Sequence, residues 1–183
     1  MSPLFLKTDA IAKNQDTSIF LLQTIKRPGI ESLLDYMLES DYFTAPASTR
    51  FHNSFPGGLC LHSLNLVHAF NDANKQLLNP LPLDSVVICG LLHDWCKVNA
   101  YSGTYTGYES IKGIKSHATV SLSRIGEHIQ LTPEEDDIIR FHMGLFGIFT
   151  YREHDTLSMH RAIMRTPQVQ IFAALDMADS KRK

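Results

Sequence analysis

The sequence has little that would fix it outside a cell or across a membrane. Its cysteines number three, Cys60, Cys89 and Cys96. That odd count without framework spacing excludes a disulfide scaffold and fits a reducing compartment. No run of about 18 apolar residues occurs, so no segment reads as a membrane span. The opening stretch MSPLFLKTDAIAKNQ lacks a basic segment followed by a long apolar one and does not read as a signal peptide. The expected location is the cytoplasm. An excess of one charge is missing too. Lys and Arg total 17 against 19 Asp and Glu, a net charge of −2, so no global positive field draws the chain to nucleic acid or anionic lipid. Repeats, low-complexity tracts and strand-rich regions are also absent.

What is present suits one helical domain. The 183 residues are 44% hydrophobic and 20% charged, which excludes a disordered or fibrous chain. A chain of this length buries roughly 70% of its unfolded surface without staples. Helical periodicity or boundary signals occur over 14–26, 30–39, 59–78, 84–98, 116–130, 132–144 and from Thr166-Pro167 to 179. The fourth of these, VVICGLLHDWCKV, is apolar on nearly every face and belongs at the centre of the core. Asp84 is its expected cap and Ser116 that of the fifth. Thr132-Pro133-Glu134-Glu135 has the form of a capping box with proline at the first helical position. Residues 44–58, 99–115 and 145–158 read as loops, the second with a possible short hairpin. The fold class expected is all-α.

Nine histidines give the chain its chemistry. His93-Asp94 closes the apolar helix, where an ionisable pair is costly unless partnered or metal-bound. His62 has Leu66 and Ala69 as same-face neighbours and therefore faces inward. His117 and His142 lie at helix ends. Asp176 and Asp179 share a face of the last helix. Imidazole and carboxylate donors suit Mn, Fe, Co, Ni, Zn or Mg. Cys60 and His62 project about 200° apart on a helix and are poorly placed to share an ion, and the three thiols read as buried or idle. His52, His68, His128, His154 and His160 show no partner pattern and read as surface or local-capping residues.

These residues resemble the HD-domain superfamily of metal-dependent phosphohydrolases over roughly Phe55 to Asp179. Phe-Pro-Gly-Gly-Leu-Cys-Leu-His62-Ser resembles the family's first metal helix. Leu-Leu-His93-Asp94-Trp-Cys-Lys97 resembles its L-L-H-D-x-x-K signature. Ser116-His117-Ala, Ile-Arg-Phe-His142-Met-Gly and Leu-Asp176-Met-Ala-Asp179 resemble later segments. The first motif is also similar to the HD part of some 3′–5′ exoribonucleases, whose extra nucleic-acid-binding barrel has no expected place in 183 residues.

The resemblance implies an HD-type helical bundle, with residues 55–183 as the metal-binding core and 1–54 as N-terminal helices and loop of the same domain. It implies that His62, His93, Asp94 and Asp179 hold one divalent ion, the alanine before Asp179 favouring it over Asp176 as the last ligand. Asp176 is then a neighbour behind the ligands. His117 and His142 are candidates for a second ion or for phosphate, although Met143 stands where some relatives carry a further histidine. Asp94 and Lys97 are the expected catalytic pair, Asp94 aligning or deprotonating water and Lys97 meeting phosphate as a point charge. Arg140 and Lys115 are weaker substrate contacts; Lys112 and Arg124 are further phosphate candidates. The expected activity is hydrolysis of a phosphate ester in a nucleotide or other small phosphorylated metabolite. The alternatives are a metal-dependent nuclease on short single strands, which the charge of −2 disfavours, and a non-catalytic metal-containing binding or sensor module.

Overall fold

The segment SVVICGLL folds as the sequence dictates for a helix with no polar face: every residue from Ser85 to Leu92 is buried. Around it the computed structural model, which describes residues 8–104, 107–110, 116–152 and 154–181, arranges a helical bundle. In chain order the elements are α1 (Thr8–Gln23), α2 (Ile30–Glu39), α3 (Gly58–Asn74), α4 (Leu83–Leu92), a 3₁₀ turn (Trp95–Lys97), a hairpin of β1 (Tyr101–Thr104) and β2 (Gly107–Ser110), α5 (His117–Gly126), α6 (Pro133–Arg140), α7 (Gly144–Phe146) with a wide turn Gly147–Tyr151, α8 (Thr156–Arg165) and α9 (Gln168–Asp179). The fold class is the all-α one that the periodicity indicates. Among the described residues the hairpin is the one sheet, in register Tyr101↔Ser110 to Thr104↔Gly107.

α3 packs against both α4 and α9. A Cβ on Gly90 would lie 2.5 Å from Val67 Cγ2 and 2.9 Å from Val67 N and Cα. Only glycine permits this approach of α3 to α4. Phe70 and Phe172 meet edge to face, centroids 5.1 Å apart, and join α3 to α9. Leu22 and Ile25, with Leu33 and Met37 of α2, enter the same core cluster.

Several boundaries differ from expectation. The central helix stops at Leu92 instead of continuing to Val98. Asp94 leaves helical geometry (φ −99°, ψ 26°), and the chain tightens into the 3₁₀ turn. Buried Tyr42 donates to the Leu91 carbonyl (2.8 Å), satisfying one carbonyl left by the helix end. Arg124, a phosphate candidate on sequence, instead donates to Val98 O at 2.9 Å and spans the Trp95 and Cys96 carbonyls at 3.4 Å. It holds the His93–Val98 segment in place. Asp84 is not a cap: α4 begins after Pro82 with no side-chain cap bond. Nor is Ser116, which lies in the left-handed region (φ 61°). The Thr132 capping box forms as the sequence indicates, with Thr132 Oγ1 accepting from Glu135 N (3.2 Å) and Glu135 Oε2 accepting from Thr132 N (2.9 Å). Its helix ends at Arg140, earlier than Gly144. Within 145–158, read as loop, lie α7, the wide turn and the start of α8, which Asp155 caps through Ser158 N (2.7 Å).

Candidate metal centre

α3 supplies His62, the end of α4 supplies His93 and Asp94, and α9 supplies Asp176 and Asp179. His62, His93, Asp94 and Asp179 are buried, at 0%, 0%, 5% and 5% exposure. The close α3–α4 contact at Gly90 brings the two imidazoles together, with ring centroids 5.2 Å apart.

Backbone and carboxylate partners fix which ring nitrogen of each histidine carries its proton. His93 Nδ1 lies 3.0 Å from Gly90 O, which only accepts, so Nδ1 donates. His142 Nδ1 does the same to Ile139 O at 2.7 Å. His62 Nδ1 donates to Asp179 Oδ2 at 2.7 Å, whose other oxygen accepts from Asn65 Nδ2 at 3.1 Å. In the neutral rings the Nε2 atoms are then bare acceptors, and they point at one another and at carboxylates. His62 Nε2 is 3.2 Å from His93 Nε2, 3.1 Å from Asp176 Oδ1 and 3.7 Å from Asp94 Oδ2. His93 Nε2 is 3.4 Å from that same oxygen. Acceptors facing acceptors in a buried space call for a cation between them. His62, His93 and Asp94 offer ligand atoms all within 4.8 Å of one another. The residues present therefore fit a divalent ion.

The two late aspartates take opposite sides of His62. Asp176 faces Nε2, with the other acceptors. Asp179, the residue that the L-x-x-A-D resemblance favours as ligand, lies behind the ring on Nδ1. There it accepts the Nδ1–H hydrogen bond and holds the ring from that side.

Electrostatics carry the same message. Burial alone would lower the His62 pKa, but the hydrogen bonds and charges of Asp176, Asp179 and Asp94 raise it to about 9. The surroundings demand a positive charge at that ring. Burial opposes ionisation of Asp94, yet Lys97 and His93 hold its carboxyl well below the usual range. Asp176 is held down to about 2 against burial, mainly by His62. Burial, then His93, pushes His142 down to about 4, so that ring is neutral at neutral pH. Lys97 Nζ donates to Asp94 Oδ2 at 2.6 Å, and the Asp94 charge keeps it protonated despite burial.

Asp94 is the hub. Its Oδ2 faces His62, His93 and Lys97, and its Oδ1 lies 3.7 Å from His142 Nε2. His117 forms a second group with Asp94 and Cys96, its Nδ1 3.5 Å from Cys96 Sγ. Cys96 thus stands near potential ligands, though burial pushes its thiol up to about 12.

The centre opens into a cleft of about 610 Å³ lined by Asp94, Lys97, His117, His142 and Asp176, with walls that include Ala47, Phe51, Met143, Phe146, Ala173 and Met177. Arg140 does not line it. Asp136 holds that guanidinium bidentately on α6, at 2.7 and 2.9 Å. Lys115 and Lys112 lie outside the described residues. Sequence reasoning missed His52, read as a surface or capping residue. Its ring is 4.9 Å from that of His62, and it lines the cleft. No spacing signal could reveal this, because His52 sits on an irregular loop.

The chain is similar to a curated exoribonuclease. It is 32% identical over 143 residues to the 3'-5' exoribonuclease YhaM of Bacillus subtilis (strain 168), a match covering 72% of this chain and 44% of YhaM. The chain thus spans less than half the length of that distant relative. No family model matches, and no solved structure matches. Among the described residues no helix is long and apolar enough to cross a membrane.

Proposed function

We propose that this chain is an HD-type, metal-dependent phosphodiester hydrolase that acts on the ends of short single-stranded RNA. The observation that carries the reading is the convergence of His62 Nε2, His93 Nε2 and Asp94, with Asp176 against His62 Nε2, at the base of an open cleft. Distant homology to an exoribonuclease supports the nuclease over a small phosphorylated metabolite as substrate. The cleft agrees with it. Its rim carries Phe51, 85% exposed, and Phe146, 51% exposed. Aromatic faces of this kind stack bases of single strands without sequence preference. Lys97 and Lys181 line the cleft alongside Asp94 and Asp176.

In this reading His62, His93, Asp94 and Asp176 hold the ion, and Asp179 orients His62 from behind. Asp176 and Asp179 thus exchange the places expected from sequence. A divalent ion held there would lower the pKa of a bound water and offset charge on a phosphoryl oxygen. Asp94 would align the attacking water. Lys97 fixes the Asp94 carboxylate and presents positive charge to the phosphate. His117 and His142 flank the other side of Asp94, placed for a second ion or for the phosphate itself.

The test is turnover of a short 3′-labelled RNA and of bis(p-nitrophenyl) phosphate with added Mn, its loss on chelation and its return with metal. Metal binding without turnover of either substrate would overturn the enzymatic reading in favour of a binding module. Metal titration assigns the flanking histidines. Two ions per chain, falling to one in His117→Ala, place a second ion there. One ion in both proteins, with turnover impaired by the substitution, makes His117 a phosphate contact.

A further inference from the structure

A second group of ligand-type side chains shares Asp94 with the centre described above. Asp94, Cys96 and His117 offer a carboxylate oxygen, a sulfur and a ring nitrogen that all lie within 4.8 Å of one another. Neither His62 nor His93 belongs to it.

Two segments build this group. Asp94 and Cys96 belong to the 3₁₀ turn and its entry, and His117 opens α5. His117, Ser121 and Arg124 recur at i, i+4 and i+7 on one face of α5, and all three meet the turn. Buried Ser121 accepts from Cys96 N through its Oγ at 3.0 Å. Arg124 donates to Val98 O at 2.9 Å. The imidazole of His117 is set against Cys96 by the same face that holds the turn.

The spacing is that of two ligands on one zinc ion. A Zn–S bond of about 2.3 Å and a Zn–N bond of about 2.0–2.1 Å, at a tetrahedral angle, put sulfur and nitrogen about 3.6 Å apart. Cys96 Sγ and His117 Nδ1 are 3.5 Å apart. A thiol–imidazole hydrogen bond spans the same distance, but it gives Asp94 no part. The site requires no particular tautomer of His117, because a neutral imidazole frees either nitrogen by carrying its proton on the other. Asp94 and His117 line the cleft, which gives an ion its path in. Burial, then the Asp94 charge, pushes the Cys96 thiol up; a dication bound to the sulfur reverses that preference.

We propose that Asp94, Cys96 and His117 form a zinc site in which Cys96 binds as thiolate. Sulfur gives its electron pair to zinc as the S–H bond breaks, the proton passes to solvent through the cleft, and no oxidation state changes. Thiolate favours zinc over the hard Mn ion, so the two groups that share Asp94 differ in the metal they select. Three protein ligands leave a fourth position for water. The site goes beyond the function proposed above by adding a sulfur ligand, and it does not require hydrolysis.

The experiment titrates the chelator-treated full chain with Co(II), a spectroscopic substitute for zinc, under reducing conditions. A thiolate on cobalt gives a near-ultraviolet charge-transfer band that nitrogen and oxygen ligands do not. The wild type is compared with Cys96→Ser and His117→Ala. We expect the wild-type band to saturate at one thiolate per chain and to be abolished by equimolar zinc but not by equimolar Mn. We expect Cys96→Ser to lack the band and His117→Ala to weaken cobalt affinity by more than about 100-fold. If Cys96→Ser fails to fold, the wild-type band and His117→Ala decide. No band in the wild type overturns the inference and leaves a thiol–imidazole hydrogen bond. A band that persists in folded Cys96→Ser overturns it, and so does an affinity unchanged in His117→Ala. Turnover of bis(p-nitrophenyl) phosphate by the Mn-loaded wild type tests the hydrolase reading separately. A band without turnover keeps the zinc site and overturns that reading; turnover without a band does the reverse.

Discussion

Two buried polar clusters in this molecule, each with a carboxylate paired to a basic side chain, serve opposite ends. Around Glu135 every acceptor meets a donor supplied by the protein. Arg27 gives two bonds at 2.6 and 2.8 Å, Ser85 Oγ one at 2.7 Å and Thr132 N one at 2.9 Å. Around Asp94 the acceptors outnumber the donors. Two imidazole nitrogens and two carboxylates face one space with Lys97 as the nearby protein cation. The first cluster is complete as folded and joins α6 to α4 and to the α1–α2 connection. The second is complete only with something added. Chemical type does not separate structural from functional polar groups in an interior. The balance of donors and acceptors does.

The comparison is broken most strongly by Asp94→Asn. It removes the charge that two sets of ligands share, so metal binding and turnover should fall by at least about 1,000-fold while the helical circular dichroism persists. A metal-dependent rise in melting temperature should appear in the wild type and vanish in this variant. Retained activity per folded molecule would make Asp94 structural.

The next effect separates the two late aspartates. Asp176→Asn should weaken metal affinity by more than about 100-fold, whereas Asp179→Asn, acting through His62 orientation, should cost about 10–100-fold. Metal titration by calorimetry reads both, and the reverse order would restore Asp179 as the ligand.

The complete cluster should show the opposite phenotype. Glu135→Ala leaves Arg27 and Ser85 without their partner, Arg27 being 19% exposed and so partly rehydrated. It should cost about 2–4 kcal/mol of stability in urea denaturation with kcat per folded molecule unchanged. The pH dependence follows. Burial would raise the Glu135 pKa, but Arg27, Thr132 and Ser85 bring it below its ordinary 4.5. Its contribution is therefore full above about pH 4.5 and is lost as pH falls through the lower folded value. The stability–pH curve of Glu135→Gln should be flatter than that of the wild type in this acid range.

The smallest effect tests one of the weaker substrate contacts expected from sequence. Arg140→Ala breaks an exposed i,i+4 pair with Asp136 and should change stability by no more than about 1 kcal/mol and leave turnover unchanged. A large rise in KM would bring Arg140 back to the substrate.

Much of this molecule is readable from local pattern. α2 occupies Ile30–Glu39, the bounds its periodicity gives, because a helix with one apolar stripe carries its own address. The capping box at Thr132 needs only residues three apart. The inward orientation of His62 and the pairing of Asp176 with Asp179 on one face follow from helical geometry in the same way. Other features depend on encounters the chain order does not contain. The end of α4 at Leu92 is set with help from Tyr42 and Arg124, which are 49 residues from Leu91 and 26 from Val98 respectively. The side of His62 on which each aspartate falls depends on how α9 packs against α3. Asp179 and His62 are 117 residues apart. The approach of His52 depends on a loop pinned by Asn53 and Ser48. By itself the sequence determined which residues are able to bind a cation and which helix faces carry them, since side-chain chemistry and the 3.6-residue turn are local. The tertiary structure decided which nitrogen of each histidine in the centre faces inward and which aspartate meets it, because those depend on contacts between segments that only packing brings within hydrogen-bonding distance.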